Sequence, residues 1–327
     1  MITRRHVLLS YFSCTTALML PTVSQALPPF CPARFPLALR NETLIATRDE
    51  DQIGKTIIKV IGVGSAGRNM VKHMMADETH GATFFYANSN TQGIRAALAG
   101  THALFIVAGM GGDTGNVLAT ELARVAKDMG IYLTVGIAAM PFVREGAVRM
   151  NIANTGLAEF ETNVDSLIVL RNEEFLGMLG DGVTTDQAIA HANDLLKNTA
   201  GNIAKILTQP GHVAVDFEDF RLGLSEAGIS KLGFAVASGL DRGRRAAELA
   251  VACPLLEGID LASAEWVMVV ISAAAYSLKL SDSKLAMDTI RAYASPDAGV
   301  IYGTACDDTL GEEIRVTIIA TGLKKRA

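Results

Sequence analysis

An α/β protein, in which a parallel-sheet domain is joined by a long central helix to a second, smaller α/β domain, is what three features of the 327-residue sequence predict. Short apolar, β-rich runs alternate with helical patterns over the first half of the globular part. Two of those runs end in glycine-rich turns that open helices. One amphipathic pattern, residues 184–207, then separates that half from a second group of strands and helices.

The first strand is placed at 57–63, an apolar run suited to coverage on both faces, with a helix following to about residue 76. Strand 83–88, helix 91–99, strand 103–108, helix 117–129 and strand 132–138 come next with short connections. That order implies a parallel sheet with helices on both sides. Gly130 stops its helix in a position suited to a left-handed residue. After Pro141 and Phe142 a helix runs to about residue 160, and 166–170 reads as another buried strand.

Within 184–207, a repeat of 3.6 residues sets Ala188, Ile189, Ala192, Leu195, Leu196, Ala200, Ile203 and Leu207 on one face. Gln187, Asp194, Asn198 and Lys205 take the other. Gln209-Pro210-Gly211 ends this helix. Downstream are a helix at 241–253, a strand at 266–273, a helix at 284–293 and paired β runs at 299–303 and 314–321. The expected divisions are 1–54 for a signal-like segment and linker, 55–183 for the first domain, 184–210 for the central helix and 211–327 for the smaller domain.

The first 27 residues combine a basic start containing Arg4 and Arg5, an apolar stretch broken by Ser10, Ser13, Cys14 and Pro21, and a small-residue exit at Ser24-Gln25-Ala26. This resembles a secretory signal with a twin-arginine character; an upstream-extended start is the competing reading, and both stand. The stretch is too polar for a membrane span. Residues 28–54 are proline-rich and aperiodic, as in a linker.

A formal charge of −5 argues against nucleic acid as a partner. Cys14, Cys31, Cys253 and Cys306 have neither paired spacing nor a neighbouring histidine, which points to free thiols and away from a zinc site or disulfide framework. No metal site is predicted from the residues.

Chemistry concentrates in the two glycine turns, Gly62-Val63-Gly64-Ser65-Ala66-Gly67-Arg68-Asn69 and Ala108-Gly109-Met110-Gly111-Gly112-Asp113-Thr114-Gly115. Backbone N–H groups of such turns can point one way without Cβ obstruction, making an anion cradle at a helix start. For a single glycine, close packing of a helix on its sheet is the leading account; for the four glycines in seven positions at 109–115 it is the weaker one. Two such turns on neighbouring strand ends point to the ligand edge of an open α/β sheet, hence to a nucleotide-binding domain. A dinucleotide fingerprint would need an acid at the end of the second strand to hold a ribose; Asn88 and Asn90 stand there instead.

These residues resemble the FtsZ family of the tubulin superfamily. The resemblance runs from about residue 57 to 323. It rests on Ile58-Lys-Val-Ile-Gly-Val-Gly64, Phe105-Ile-Val-Ala-Gly-Met-Gly-Gly112, Ala192-Asn-Asp-Leu195, Val215-Asp-Phe217, Cys253-Pro-Leu-Leu-Glu257 and Ile314-Arg-Val-Thr317. It implies a GTPase of the bacterial cytoplasm that polymerises head to tail, with itself or with full-length FtsZ. GTP or GDP would be held at the subunit interface, and the water-activating acids would come from the next subunit. Mg2+ is the implied ion where a carboxylate meets phosphate.

Carried over by position, the resemblance assigns Gly64, Ser65, Ala66, Gly67, Arg68 and Asn69 to the first phosphate loop. Gly111, Gly112, Thr114 and Gly115 fall in the second. Glu145 and Arg149 would meet ribose and nucleotide, Asn172 and Asp194 would read guanine, and Asp216 and Asp219 would activate water. Helix-start acids that favour the macrodipole are a sufficient alternative account of the last pair.

Several positions depart from the family pattern. Asp113 and Val117 replace glycines of the second loop, Ala139-Met140 replaces Thr-Lys, and Ala214 replaces an asparagine. Between Asn90 and Arg95 the family carries several tens more residues, including the loop around the terminal phosphates. The chain stops soon after its last strand with Lys324, Lys325 and Arg326, where the family continues into a peptide that docks on membrane tethers; direct tethering is therefore not expected. Two functions follow: a divergent, assembling, weakly hydrolysing GTP-binding protein, or a non-hydrolysing partner or cap of FtsZ filaments.

Overall fold

The structure, a computed structural model, describes residues 56–76, 82–87, 93–173, 184, 187, 199–203, 205–207, 211–225, 228–256 and 260–323. Among them, β1 (Ile58–Val63), β2 (Ala82–Ala87), β3 (Ala103–Gly109), β4 (Leu133–Met140) and β5 (Ser166–Arg171) are all parallel and lie in the order β2-β1-β3-β4-β5. Helices α1 (Gly64–Ala76), α2 (Ile94–Leu98), α3 (Asp113–Asp128) and α4 (Ala147–Glu161) connect them.

The apolar runs are continuous because both faces of this sheet are covered. Ile58, Val60, Phe105, Val107, Val135 and Ile137 pack with Met70 of α1 and with Ala200, Ile203 and Ile206. On the other face Ile61, Val63, Leu104 and Ile106 pack with Leu118 and Leu122 of α3 and with Ala153 and Phe160 of α4. Fully burying one such side chain stabilises by about 1.5 to 3 kcal/mol.

The second half contributes α5 (Phe217–Ser225), β6 (Gly228–Ala237), α6 (Arg242–Val251), β7 (Trp266–Ala273), α7 (Leu280–Arg291), β8 (Gly299–Cys306) and β9 (Ile314–Thr321). Strand β6 was not expected from the sequence, since Ser230, Lys231 and Gly233 break its apolar pattern. It joins the two halves, running parallel to β5 through Ser166–Ile168 and antiparallel to β9, so that the sheet is continuous. Buried hydroxyls of Ser166 and Ser230 bond to each other at 2.7 Å across this joint.

The two runs expected to pair, 299–303 and 314–321, are not neighbours. β7 lies between them, parallel to β8 and antiparallel to β9. The α7 crossover makes β7 and β8 parallel, and β9 enters beside β6. Helix α3 begins at Asp113, not at residue 117, because the extended Gly112 ends the turn and Asp113 places a carboxylate in the first helical turn. Likewise α7 starts at Leu280, where the Asp282 carboxylate accepts the Lys279 N–H at 3.2 Å.

Of the predicted central helix, residues 187, 199–203 and 205–207 are described and helical. Its start is marked by a reciprocal cap: the Thr184 N–H donates to Gln187 Oε1 at 2.9 Å and the Gln187 N–H donates to Thr184 Oγ1 at 3.3 Å. Ala200 and Ile203 are buried as their spacing predicts.

Candidate functional site

In the order β2-β1-β3-β4-β5, successive strands are laid down on opposite sides of β1, so the crevice at the carboxyl ends of β1 and β3 is the switch point of the sheet. Register holds these ends level: Val63 lies opposite Ala87 and Ala108, Gly109 opposite Ala139, and Met140 opposite Arg171. A cleft of about 360 Å³ opens there. Gly64, Ser65 and Ala66 line it from the first turn, and Met110, Gly112, Asp113, Thr114 and Gly115 from the second. Ala139, Met140, Glu145, Arg149 and Asn172 complete it.

Two of the glycines have a conformational reason. Gly111 has φ +87°, and its ideal Cβ would stand 2.9 Å from Arg149 Cγ. A Cβ on Gly115 would lie 1.9 Å from the Gly109 carbonyl oxygen, so α3 leaves the sheet at a distance only glycine permits. Gly112 by contrast has open space around it.

Asn116 fixes the second turn and was not anticipated from the sequence. Buried beneath it, its Oδ1 accepts the Gly111 N–H at 3.0 Å, while its Nδ2 donates to the Ile152 carbonyl of α4 at 2.7 Å. The Met110 N–H donates to the Ala139 carbonyl at 2.8 Å. Two amides of the turn are therefore used inside the protein. The first turns of α1 and α3 remain, and both converge on the cleft; a helix start exposes amides that its own helix leaves unbonded.

Glu145 and Arg149 do meet, at 3.0 Å, although they do not share one helix. Glu145 closes a short 3-10 turn, Val143–Glu145, and Gly146 at φ +100° breaks the chain before α4. Glu145 Oε1 also accepts the Phe142 N–H at 2.7 Å. Among the described residues, Arg149 is the one cationic side chain lining the cleft, against the two carboxylates of Asp113 and Glu145. Neither Ala139 nor Met140 adds a donor.

The remaining sequence-predicted residues divide clearly. Arg68 is exposed and lies over the Tyr86 ring, 5.1 Å from its centroid, outside the cleft lining, as are Gly67, Asn69 and Gly111. Asp194 lies outside the described residues. Asp216 and Asp219 are both exposed and do not line the cleft. Asp216 caps α5: its Oδ1 accepts the Asp219 N–H at 2.7 Å, and its carbonyl accepts the Phe220 N–H at 3.0 Å. Nothing in that cap prevents either carboxylate from meeting a second molecule.

For Mg2+, the cleft offers the Asp113 carboxylate and the Thr114 hydroxyl. Among the described residues no three His, Cys, Asp or Glu side chains gather as a metal cage. That suits an ion held by one carboxylate together with ligand phosphate oxygens.

Fold and cleft together define the class. Residues 86–180 match the model for the tubulin/FtsZ family GTPase domain, and residues 228–324 match that for the FtsZ family C-terminal domain. The cell division protein FtsZ of Buchnera aphidicola subsp. Schizaphis graminum (strain Sg) is 37% identical over 306 residues, with 82% of this chain and 79% of that one covered. FtsZ of Coxiella burnetii (strain RSA 493 / Nine Mile phase I) is 37% identical over 309 residues, covering 83% and 80%. Among solved structures, the empty FtsZ dimer of M. jannaschii matches with a TM-score of 0.76 and 25% identity, over 82% of this chain and 88% of that one. The chain belongs to the FtsZ family of cell division proteins. Because the alignments extend over more positions than this chain contributes to them, the relatives carry several tens of positions without a counterpart here.

No helix among the described residues is long and apolar enough to cross a membrane.

Proposed function

We propose that this protein binds guanine nucleotide in the cleft at the β1/β3 switch point and assembles head to tail, with itself or with a full-length FtsZ, in bacterial cell division in the cytoplasm. Hydrolysis in such an assembly is slow and requires Asp216 and Asp219 from the neighbouring copy. One observation carries this reading: the two acids stand exposed on the cap of α5 while the cleft is lined entirely by other residues, so a chain cannot supply its own water-activating pair. Slow turnover follows from the lining, where Ala139 and Met140 give no donor and two carboxylates face one guanidinium.

Base choice is assigned to Asp194 and Asn172, with Glu145 and Arg149 at the ribose and Mg2+ held between Asp113, Thr114 and phosphate. A carboxylate that accepts from guanine N1 and N2 excludes adenine, which cannot donate that pair. Calorimetric titration with GTP, GDP and ATP tests the site: the guanine nucleotides bind and ATP does not. Equal affinity for ATP overturns it.

The negative balance of the cleft also favours a second reading, a non-hydrolysing partner or cap of FtsZ filaments. Light scattering of a full-length FtsZ with this protein separates the two. A cap shortens polymers even when Asp216 and Asp219 are replaced, whereas a co-assembling hydrolytic subunit needs them.

A further inference from the structure

We infer that the cleft takes a nucleoside diphosphate in preference to the triphosphate, because Asp113 already supplies at the start of α3 the negative charge that a further phosphate would bring. The inference rests on the guanine-nucleotide reading above and assigns the phosphate selectivity of that same site.

Two helix starts face the cleft, and they differ in charge. The first turn of α1 contains no acid, so its amides are free to meet an anion. The first turn of α3 contains Asp113, exposed and lining the cleft, so this helix end carries its own carboxylate. The turn before it is further depleted of donors. Its Gly111 amide is held by Asn116 Oδ1 at 3.0 Å and its Met110 amide by the Ala139 carbonyl at 2.8 Å.

Arg149 does not restore the balance, since it pairs with Glu145 at 3.0 Å. Each phosphate beyond those satisfied at α1 therefore approaches a carboxylate with no unpaired cation among the described lining residues to offset it.

Isothermal calorimetry of the full chain with GDP and GTP, each with and without Mg2+, tests this. Without metal, GDP binds about tenfold more tightly than GTP. In the absence of metal the isosteric D113N moves the GTP-to-GDP affinity ratio about tenfold toward GTP, because the triphosphate is crowded hardest against that side chain. Mg2+ narrows the difference in the wild-type chain by standing between carboxylate and phosphate, and high salt narrows it by screening.

Asp113 is exposed, so D113N keeps its fold, and the wild-type GDP-to-GTP ratio decides the matter independently of any variant. GTP bound as tightly as GDP or more tightly by the metal-free wild type overturns this inference alone, as does a GTP-to-GDP ratio unmoved by D113N. Binding of neither nucleotide overturns the guanine-nucleotide reading and this selectivity together.

Discussion

Lys205 Nζ donates to Asp307 Oδ2 at 2.8 Å, which ties the helix leading out of the first domain to the turn after β8. The Asp307 side chain is 2% exposed and also accepts from Arg315 NH1 at 2.8 Å and from the Thr309 hydroxyl. Arg315 in turn donates to Asn202 Oδ1 at 3.1 Å, so two residues of the helix share one ionic cluster with β9.

A first prediction concerns pH. Burial by itself raises the Asp307 pKa, but the bonds from Lys205 and Thr309 and the charges of Lys205 and Arg315 prevail and hold it down to about 2, against an ordinary value of 3.8. A carboxyl whose folded pKa is depressed stabilises the fold above its unfolded pKa and loses that contribution as pH falls through the folded one. The cluster therefore contributes about 2 kcal/mol at neutral pH that disappears between about pH 4 and pH 2. Urea unfolding across that range is expected to follow this loss in the wild type. D307N flattens the acid limb, and at neutral pH it destabilises by about 3 kcal/mol through the cations left unmatched.

Gly115 and Gly112, three residues apart in one turn, are expected to respond oppositely to alanine. G115A forces a Cβ to within 1.9 Å of the Gly109 carbonyl oxygen and should destabilise by about 3 kcal/mol or more. G112A meets nothing within 4 Å at an extended φ of −122° and should change stability by no more than about 0.5 kcal/mol. Thermal melts of the two variants check this. Equal losses would show that the turn is not held at the distance seen here.

Asn116 should be costly to remove. N116A leaves the Ile152 carbonyl and the Gly111 amide without their partner in a buried setting, a loss of about 2 kcal/mol in urea unfolding. Gly111 itself lies outside the cleft lining, so the loss is felt first in folding. Nucleotide affinity in N116A is therefore expected to fall less than stability does.

Much of this was legible in the sequence where burial is symmetric. Strands β1, β3 and β4 are apolar apart from Lys59 and Thr134 because both faces are covered, and the glycine turns announce themselves at the ends of β1 and β3. β6 escaped notice because Ser230, Lys231 and Gly233 interrupt any period; the buried Ser230 finds its partner in the Ser166 hydroxyl of β5, 64 residues away. Asn116 was overlooked because its partner Ile152 is 36 residues away, and Lys205 was placed only on the face opposite the apolar one because nothing marks Asp307, 102 residues on, as its partner. The Thr184 and Gln187 cap was readable as a Thr-x-x-Gln spacing. That Asp216 and Asp219 stand apart from the cleft is a fact of tertiary placement that no spacing encodes.

That separation permits complementation between defective chains. D216N keeps an oxygen to accept the Asp219 N–H and so preserves the α5 cap, leaving the melting temperature within a few degrees of wild type, whereas D216A gives up about 1 kcal/mol with the cap. R149A spares Asp216 and Asp219 but strips the cleft of the one cation among its described lining residues. Each variant alone is expected to release phosphate from GTP at no more than background rate. Mixed in equal amounts, the intact cleft of D216N meets the intact acids of R149A at about a quarter of the junctions, and activity returns to a corresponding fraction of wild type. Phosphate release that stays at background in the mixture, while both proteins co-sediment, would exclude a site shared between neighbouring copies.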